Sequence, residues 1–351
     1  MLGFNNNIGL YVLAYLFPFF MIISSIRRNN SDILLGMESS NTLKGLGMFC
    51  IIVHHITLEI PHPGYAVFFR NLGFWGSGLF LFCSGYGCYK SMQNNNDYLK
   101  KFVTGRIAKV YIHAVLANIF IYLIYSFFQF KISVRSVFKA FLMINCRTDT
   151  IVWFFICILI FYTIFYLIYR FTPDNNFSLF LLFFCAFCYM LIVYFLQLGS
   201  FWINISFTFA SGVLLAKYEK KWIEFVRQLH ILLYLLICFV LFFLLLLSFK
   251  MSWVQSLGRV LSDLICMNML LLNLIVWFPK IQLKCNSLLH FLNKNSLELY
   301  FGHMTIILML YKLYPQQNSW FLWLYLIVVL IVSKILFYLI KLFDKIFLTR
   351  K

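Results

Sequence analysis

Two adjacent histidines, His54 and His55, lie inside the apolar run LKGLGMFCIIVHHITLE, residues 43 to 59. Imidazole titrates near neutrality, so it can take a proton and return it during a group transfer. Lys44 precedes His55 by ten intervening positions. On a helix that separation is roughly 16 Å, about half the thickness of a hydrocarbon core. Ionisable groups at such depth face a protein interior or a watery cavity, and their default reading is functional. His55 and Glu59 are four apart and share a helix face, so Glu59 is placed to orient the ring or hold its cation. The plainer reading is that one histidine packs against a neighbouring helix and bonds a carbonyl.

Three further stretches carry candidate chemistry. GFWGSGLFLFCSGYG, residues 73 to 87, is rich in glycine, which lets helix backbones approach closely. It is either a tight packing seam or a cavity wall where Ser84, Gly85 and Tyr86 meet a ligand. Arg106 and Lys109 in RIAKVY point the same way at a helix start, just after Lys100 and Lys101. Basic side chains at a helix N-terminus suit phosphate, and ordinary anchoring at a membrane face is the alternative. SLELYFGH, residues 296 to 303, puts Glu298 and His303 in another apolar run. Their spacing places them on different helix sides, and either is able to face a central site. Trp153 and Phe154, after Asp149, open a span, where an interfacial aromatic belt is the simpler reading.

The elements that must position these residues are membrane helices. The chain has 351 residues, is 63% hydrophobic and only 11% charged, which excludes an ordinary soluble domain. Its net charge of +18 does not indicate nucleic acid, because the basic residues cluster between apolar runs, as cytoplasmic loops do. The fold class is therefore all-α: a polytopic transmembrane helical bundle of about 11 spans. These are expected at 8–26, 43–60, 65–89, 107–130, 150–171, 177–196, 200–216, 230–249, 254–278, 288–311 and 320–343. Arg27 and Arg28 follow the first run and no basic residue precedes it, which argues against a signal peptide and for an N-terminus outside. The alternation then places most of the 29 Lys and Arg residues, and the C-terminus, on the cytoplasmic side. Residues 131–149 fall outside despite carrying Lys131, Arg135, Lys139 and Arg147. Ten cysteines, including Cys185 and Cys188, lie mostly within apolar runs and read as buried thiols. No metal-ligand set accompanies them.

In order, these elements resemble the acyltransferase 3 family of integral-membrane acyltransferases. The family's basic residue, ten positions and a His correspond to Lys44 and His55. Its glycine-rich segment ends here in Ser84, Gly85 and Tyr86. Its RxxR element corresponds to Arg106 and Lys109, its WF pair to Trp153 and Phe154, and its S-x-E-x-Y-x-x-H element to Ser296, Glu298, Tyr300 and His303. The likeness covers about residues 40 to 310. Lys44 stands where Arg is commoner, and Lys109 replaces the second Arg, so neither offers a bidentate fork.

The resemblance implies a ten-helix acyltransferase core at 43–351, preceded by an extra N-terminal helix and cytoplasmic loop at 1–42. It implies transfer of an acyl group, usually acetyl, from cytoplasmic acyl-CoA to a hydroxyl of a glycan or lipid-linked sugar, in a bacterial-type cytoplasmic membrane. Acetyl-CoA would be a donor substrate, with no tightly bound cofactor and no metal. Lys44, Arg106 and Lys109 would hold the donor. His55, supported by Glu59 and with His54 beside it, would be the base or transient acyl carrier. Ser84, Tyr86, Trp153, Glu298, Tyr300 and His303 would line the substrate site. The partners would be acyl-CoA, the glycan or glycolipid acceptor and membrane lipids. A transporter or flippase for lipid-linked sugars, or a glycan polymerase, is the rival reading, since glycine-rich helices with intramembrane His and Glu suit a transporter too.

Overall fold

The structure is a computed structural model that describes residues 7–29, 33–60, 62–129, 138, 142, 149–254, 258–313 and 320–348. The basic segment carrying Lys131, Arg135, Lys139 and Arg147 lies outside the described residues.

The chain begins with α1 (Ile8–Ser25), whose Val12–Leu16 section is a π-turn. It ends in a short strand, β1 (Ile26–Arg28), which pairs antiparallel with β2 (Ile281–Leu283), Arg27 opposite Gln282. Nothing in the apolar pattern announces this two-stranded ladder. The central helix α2 runs Met37–Glu59 and so begins well before the apolar run does. Its polar first turns bury Ser39 and Thr42 against the protein while Met37 and Glu38 stay exposed. Ser39 is fully buried; its hydroxyl donates to the Leu283 carbonyl and accepts from the Leu283 N–H at 3.1 Å. A 3₁₀ turn (Gly64–Asn71) leads into α3 (Gly73–Asn94). A π-turn (Val103–Ala108) opens onto α4 (Lys109–Gln129).

The helices α5 (Asp149–Phe171) and α6 (Asn176–Phe195) form a hairpin. The Asn175 side chain caps α6 by accepting from the Ser178 N–H at 3.1 Å. Residues 200–216, expected as one span, are not one. A single turn, Ser200–Ile203, breaks at 204–207, and α7 runs Thr208–Gln228. The charged residues beyond Ala216 do not stop the helix: Glu219, 2% exposed, has partners inside the bundle, and Lys220, Lys221, Glu224 and Arg227 lie on the exposed face. α8 (Ile231–Val254), α9 (Arg259–Trp277), α10 (Ser287–Lys294), α11 (Ser296–Leu313) and α12 (Phe321–Phe343) complete the bundle.

Eight helical stretches among the described residues are long and apolar enough to cross a membrane. Of the expected spans, α2, α7 and α11 are not among them. All three carry polar groups that the bundle buries, including Thr42, Glu219, Glu298 and His303. α8 is the opposite case, exposing Leu232 and Phe239 by 70% and 69% on an outer face suited to lipid. α2 packs on α3, α10 and α11, and α3 packs on α2, α7 and α9. Glycines set how closely they approach. A Cβ on Gly76 would collide with the Gly47 carbonyl oxygen, and one on Gly85 would collide with that of Phe209.

Candidate functional site

Three histidines from two helices meet at one end of α2. The His54 and His55 rings are 4.8 Å apart by centroid, and His55 lies 4.9 Å from His303 of α11. They differ in how they are held. His54 meets the backbone of Phe69 and Arg70, and a Cβ on Gly73 would come within 2.5 Å of its ring. His303 is fully buried, with Nδ1 3.0 Å from the Leu299 carbonyl oxygen. A carbonyl only accepts, so Nδ1 carries the proton and Nε2 keeps a lone pair. That Nε2 has no hydrogen-bond partner among the described residues. His55 is half-buried and lines a cavity of about 210 Å³.

The walls of that cavity come from many parts of the chain: His54 and His55 of α2, Ser77 of α3, Trp153 of α5, Asn204 of the 204–207 turn, Asp263 of α9 and Tyr300 of α11. Arg70 and Arg259 also border it. Arg70 is engaged: its guanidinium donates to the Thr57 and Ile60 carbonyls at 3.0 and 2.5 Å, closing the C-terminal turn of α2. Trp153 packs on Phe201 at 4.9 Å and Trp202 at 5.8 Å, and its partner Phe154 is 4% exposed. Aromatic faces suit the apolar faces of a sugar ring as well as each other.

Tyr300 borders a second, apolar pocket of about 150 Å³, walled by Met48, Phe80, Val110, Phe154 and Leu297. A third opening, a cleft of about 620 Å³, lies at the other end of α2 around Lys44, Lys90, Tyr86 and Tyr98. One helix thus presents Lys44, Met48 and His55 to three successive openings.

The expected residues divide accordingly. His54, His55, Trp153 and Tyr300 share the cavity, with His303 against His55. Lys44 and Tyr86 share the cleft, so the SGY segment belongs to the basic end rather than the histidine end. Tyr86 donates to Glu219, and Ser84 lies beside Tyr162. Arg106 and Lys109 are exposed and do not border the cleft, although Arg106 neighbours Tyr98, which does. Glu59 is not brought to His55: it ends α2, borders none of these openings and makes no hydrogen bond to the ring. Glu298, 5% exposed in the first turn of α11, likewise stands apart from the cavity. Sequence reasoning missed Asn204, Asp263 and Arg259. Asp263 carried a usable signal as a carboxylate inside an apolar run.

A bundle of apolar helices with three clustered imidazoles beside a cavity between the helices defines an integral-membrane protein. The chain belongs to the acyltransferase 3 family, whose model, an acyltransferase domain, matches residues 37–340. It is a multi-pass membrane acyltransferase. No curated protein and no solved structure matches it.

Proposed function

We propose that the protein is an O-acyltransferase that moves an acetyl group from cytoplasmic acetyl-CoA to a hydroxyl of a cell-surface polysaccharide or lipid-linked glycan. The supporting observation is the row of openings along α2: a basic cleft at Lys44, an apolar pocket at Met48 and a polar cavity at His55. Each suits one part of the reaction. Lys44 and Lys90, with Arg106 nearby, supply positive charge for the CoA phosphates. The apolar pocket suits the thioester arm. The cavity offers His55 to the acceptor. The Lys44 end then faces the cytoplasm, as does the C-terminus, with the N-terminus outside.

In the direct route, His55 takes the acceptor's hydroxyl proton as that oxygen attacks the thioester carbonyl. The C–S bond breaks, and the CoA thiolate takes the proton back from the imidazolium. In the two-step route, a His55 nitrogen attacks first and releases CoA, and the acceptor hydroxyl then attacks the acyl-imidazole. His55 fits either role because it lies between the other two rings and borders the cavity; His54 also borders it but meets the backbone of Phe69 and Arg70, and His303 is held through Nδ1 by Leu299. His303, beside it, is placed to share the imidazolium proton.

The test is incubation of membranes containing the protein with labelled acetyl-CoA, reading label in extractable glycan and glycolipid. Wild type should transfer label. His55→Ala should lower transfer by about 100-fold or more while melting with wild-type cooperativity. His54→Ala should retain more activity than His55→Ala. Absence of transfer by wild type would sink the acetyl-transfer reading, and transfer indifferent to His55 would sink its assigned role.

A further inference from the structure

The cavity wall holds a polar chain that the acyl-transfer chemistry does not use. Asp263, 5% exposed, accepts from Asn204 Nδ2 at 2.9 Å and from the Ser252 hydroxyl. The contact with Asp263 fixes the Asn204 amide. A carboxylate offers only acceptors, so the amide must turn its NH₂ toward Asp263 and its oxygen away. Asn204 is 2% exposed, and that Oδ1 has no hydrogen-bond partner among the described residues. A buried acceptor without a donor is costly, and native structures seldom keep one without reason. Here the residue that carries it borders the His55 cavity.

The same wall is asymmetric in charge. Of its two arginines, Arg70 is committed to the end of α2. Arg259, at the first position of α9, makes no ion pair with another described residue. Asp263, one turn further along α9, acts electrostatically on Arg259, but its oxygens take their hydrogen bonds from Asn204 and Ser252 and not from the guanidinium. Arg259 is exposed, borders the cavity and lies within electrostatic range of Asp263 and His54 without a hydrogen bond or ion pair to either, so its donors can meet an anion entering there.

We propose that Asn204 and Arg259 form the acceptor-recognition subsite, and that it takes an acidic sugar. The Asn204 Oδ1 accepts a hydrogen bond from a sugar hydroxyl, and Arg259 pairs with an anionic group on the same sugar. Asp263 and Ser252 are positioning residues that hold the amide in the orientation this requires. The proposal rests on the acyl-transfer reading, since it assigns that reaction's acceptor. A site that hydrogen-bonds a hydroxyl rejects analogues lacking it, because the buried oxygen is then left unpaired.

The experiment is equilibrium binding of labelled D-glucuronate, D-glucose 6-phosphate and D-glucose to the purified full-length protein in detergent. Acetyl-CoA binding is measured on the same samples. At least one anionic sugar should bind about tenfold or more tightly than glucose. Which one does so tells a carboxylate from a phosphate. Arg259→Gln, at an exposed position, should erase that preference and leave glucose binding unchanged. Asn204→Ala should weaken all three sugars by about tenfold and leave acetyl-CoA binding as in wild type. Equal binding of all three sugars, or binding of none, would overturn the proposal. So would an Asn204→Ala protein that loses acetyl-CoA binding in step with sugar binding, because the Asn204–Asp263 pair would then be packing alone. The measurement involves no turnover, so its failure leaves the acetylation assay standing, and failure of that assay leaves the binding result readable.

Discussion

Three imidazoles within one cluster carry different constraints, and those constraints sort their roles. His303 is pinned through Nδ1 to the Leu299 carbonyl, four residues back on its own helix. His54 fills the space that Gly73 leaves open at the start of α3. His55 is wedged between their rings and opens on the cavity. Its position therefore depends on its neighbours. Gly73→Ala tests that dependence without touching His55. The new Cβ would sit 2.5 Å from His54 Cδ2, so the ring must shift and press on His55. Small displacements at a reacting centre are costly in rate. The variant should lose about 10- to 100-fold in kcat with the KM for acetyl-CoA unchanged. A wild-type kcat would show that ring packing does not set the geometry of His55.

At the scale of elements, the bundle is organised by close backbone approach around α3. Its two glycine-lined faces lie against α2 and α7. A side chain at Gly85 would run into the Phe209 carbonyl oxygen, and backbone there has nowhere to go. Gly85→Val should therefore destabilise the fold by about 3 kcal/mol or more, seen as a lower melting temperature or loss of folded protein. Gly87, two residues on, is different: a Cβ added there would meet nothing within 4 Å. Gly87→Ala should be neutral or stabilise by up to about 1 kcal/mol, from helix propensity alone. The glycine-rich stretch was legible in the sequence as either packing seam or cavity wall. Its Gly76 and Gly85 form packing seams with α2 and α7, and Ser77 at one end and Tyr86 at the other border openings. The histidine helix was legible because ionisable residues stand out at membrane depth. Its true start at Met37 was not, because buried polar turns look like loop when only apolar runs are read. The Asn204–Asp263 pair was illegible for another reason: its partners are remote in sequence, and only the folded bundle joins them.

At the scale of the molecule, Glu219 binds the N-terminal part of the chain to the bundle. Its Oε1 accepts from the Leu34 N–H at 2.7 Å and from the Tyr86 hydroxyl, and its Oε2 pairs with Lys90 at 2.7 Å. Three segments thus converge on one carboxylate of α7: the connection between α1 and α2, the SGY end of α3, and the following turn of α3. Leu35, Tyr86 and Lys90 all border the basic cleft. The carboxylate therefore shapes the cleft as well as closing the fold around it. Removing it leaves a lysine charge, a phenol and a backbone N–H without their partner. Lys90 is partly exposed at the cleft, so the main cost is the buried Leu34 N–H and Tyr86 hydroxyl left without an acceptor, about 1–3 kcal/mol. Glu219→Ala should melt at a clearly lower temperature. Glu219→Gln keeps the oxygen that Leu34 and Tyr86 use but turns an NH₂, a donor, toward the Lys90 ammonium; Lys90 opens on the cleft and can swing away, so the variant should fold. Lys90 would then be freed to move, while the His55 cavity at the far end of α2 stays intact. Glu219→Gln should accordingly change the KM for acetyl-CoA several-fold with little change in kcat. A kcat defect with an unchanged KM would instead mean that the two ends of α2 are coupled, and that Lys90 does not meet the donor.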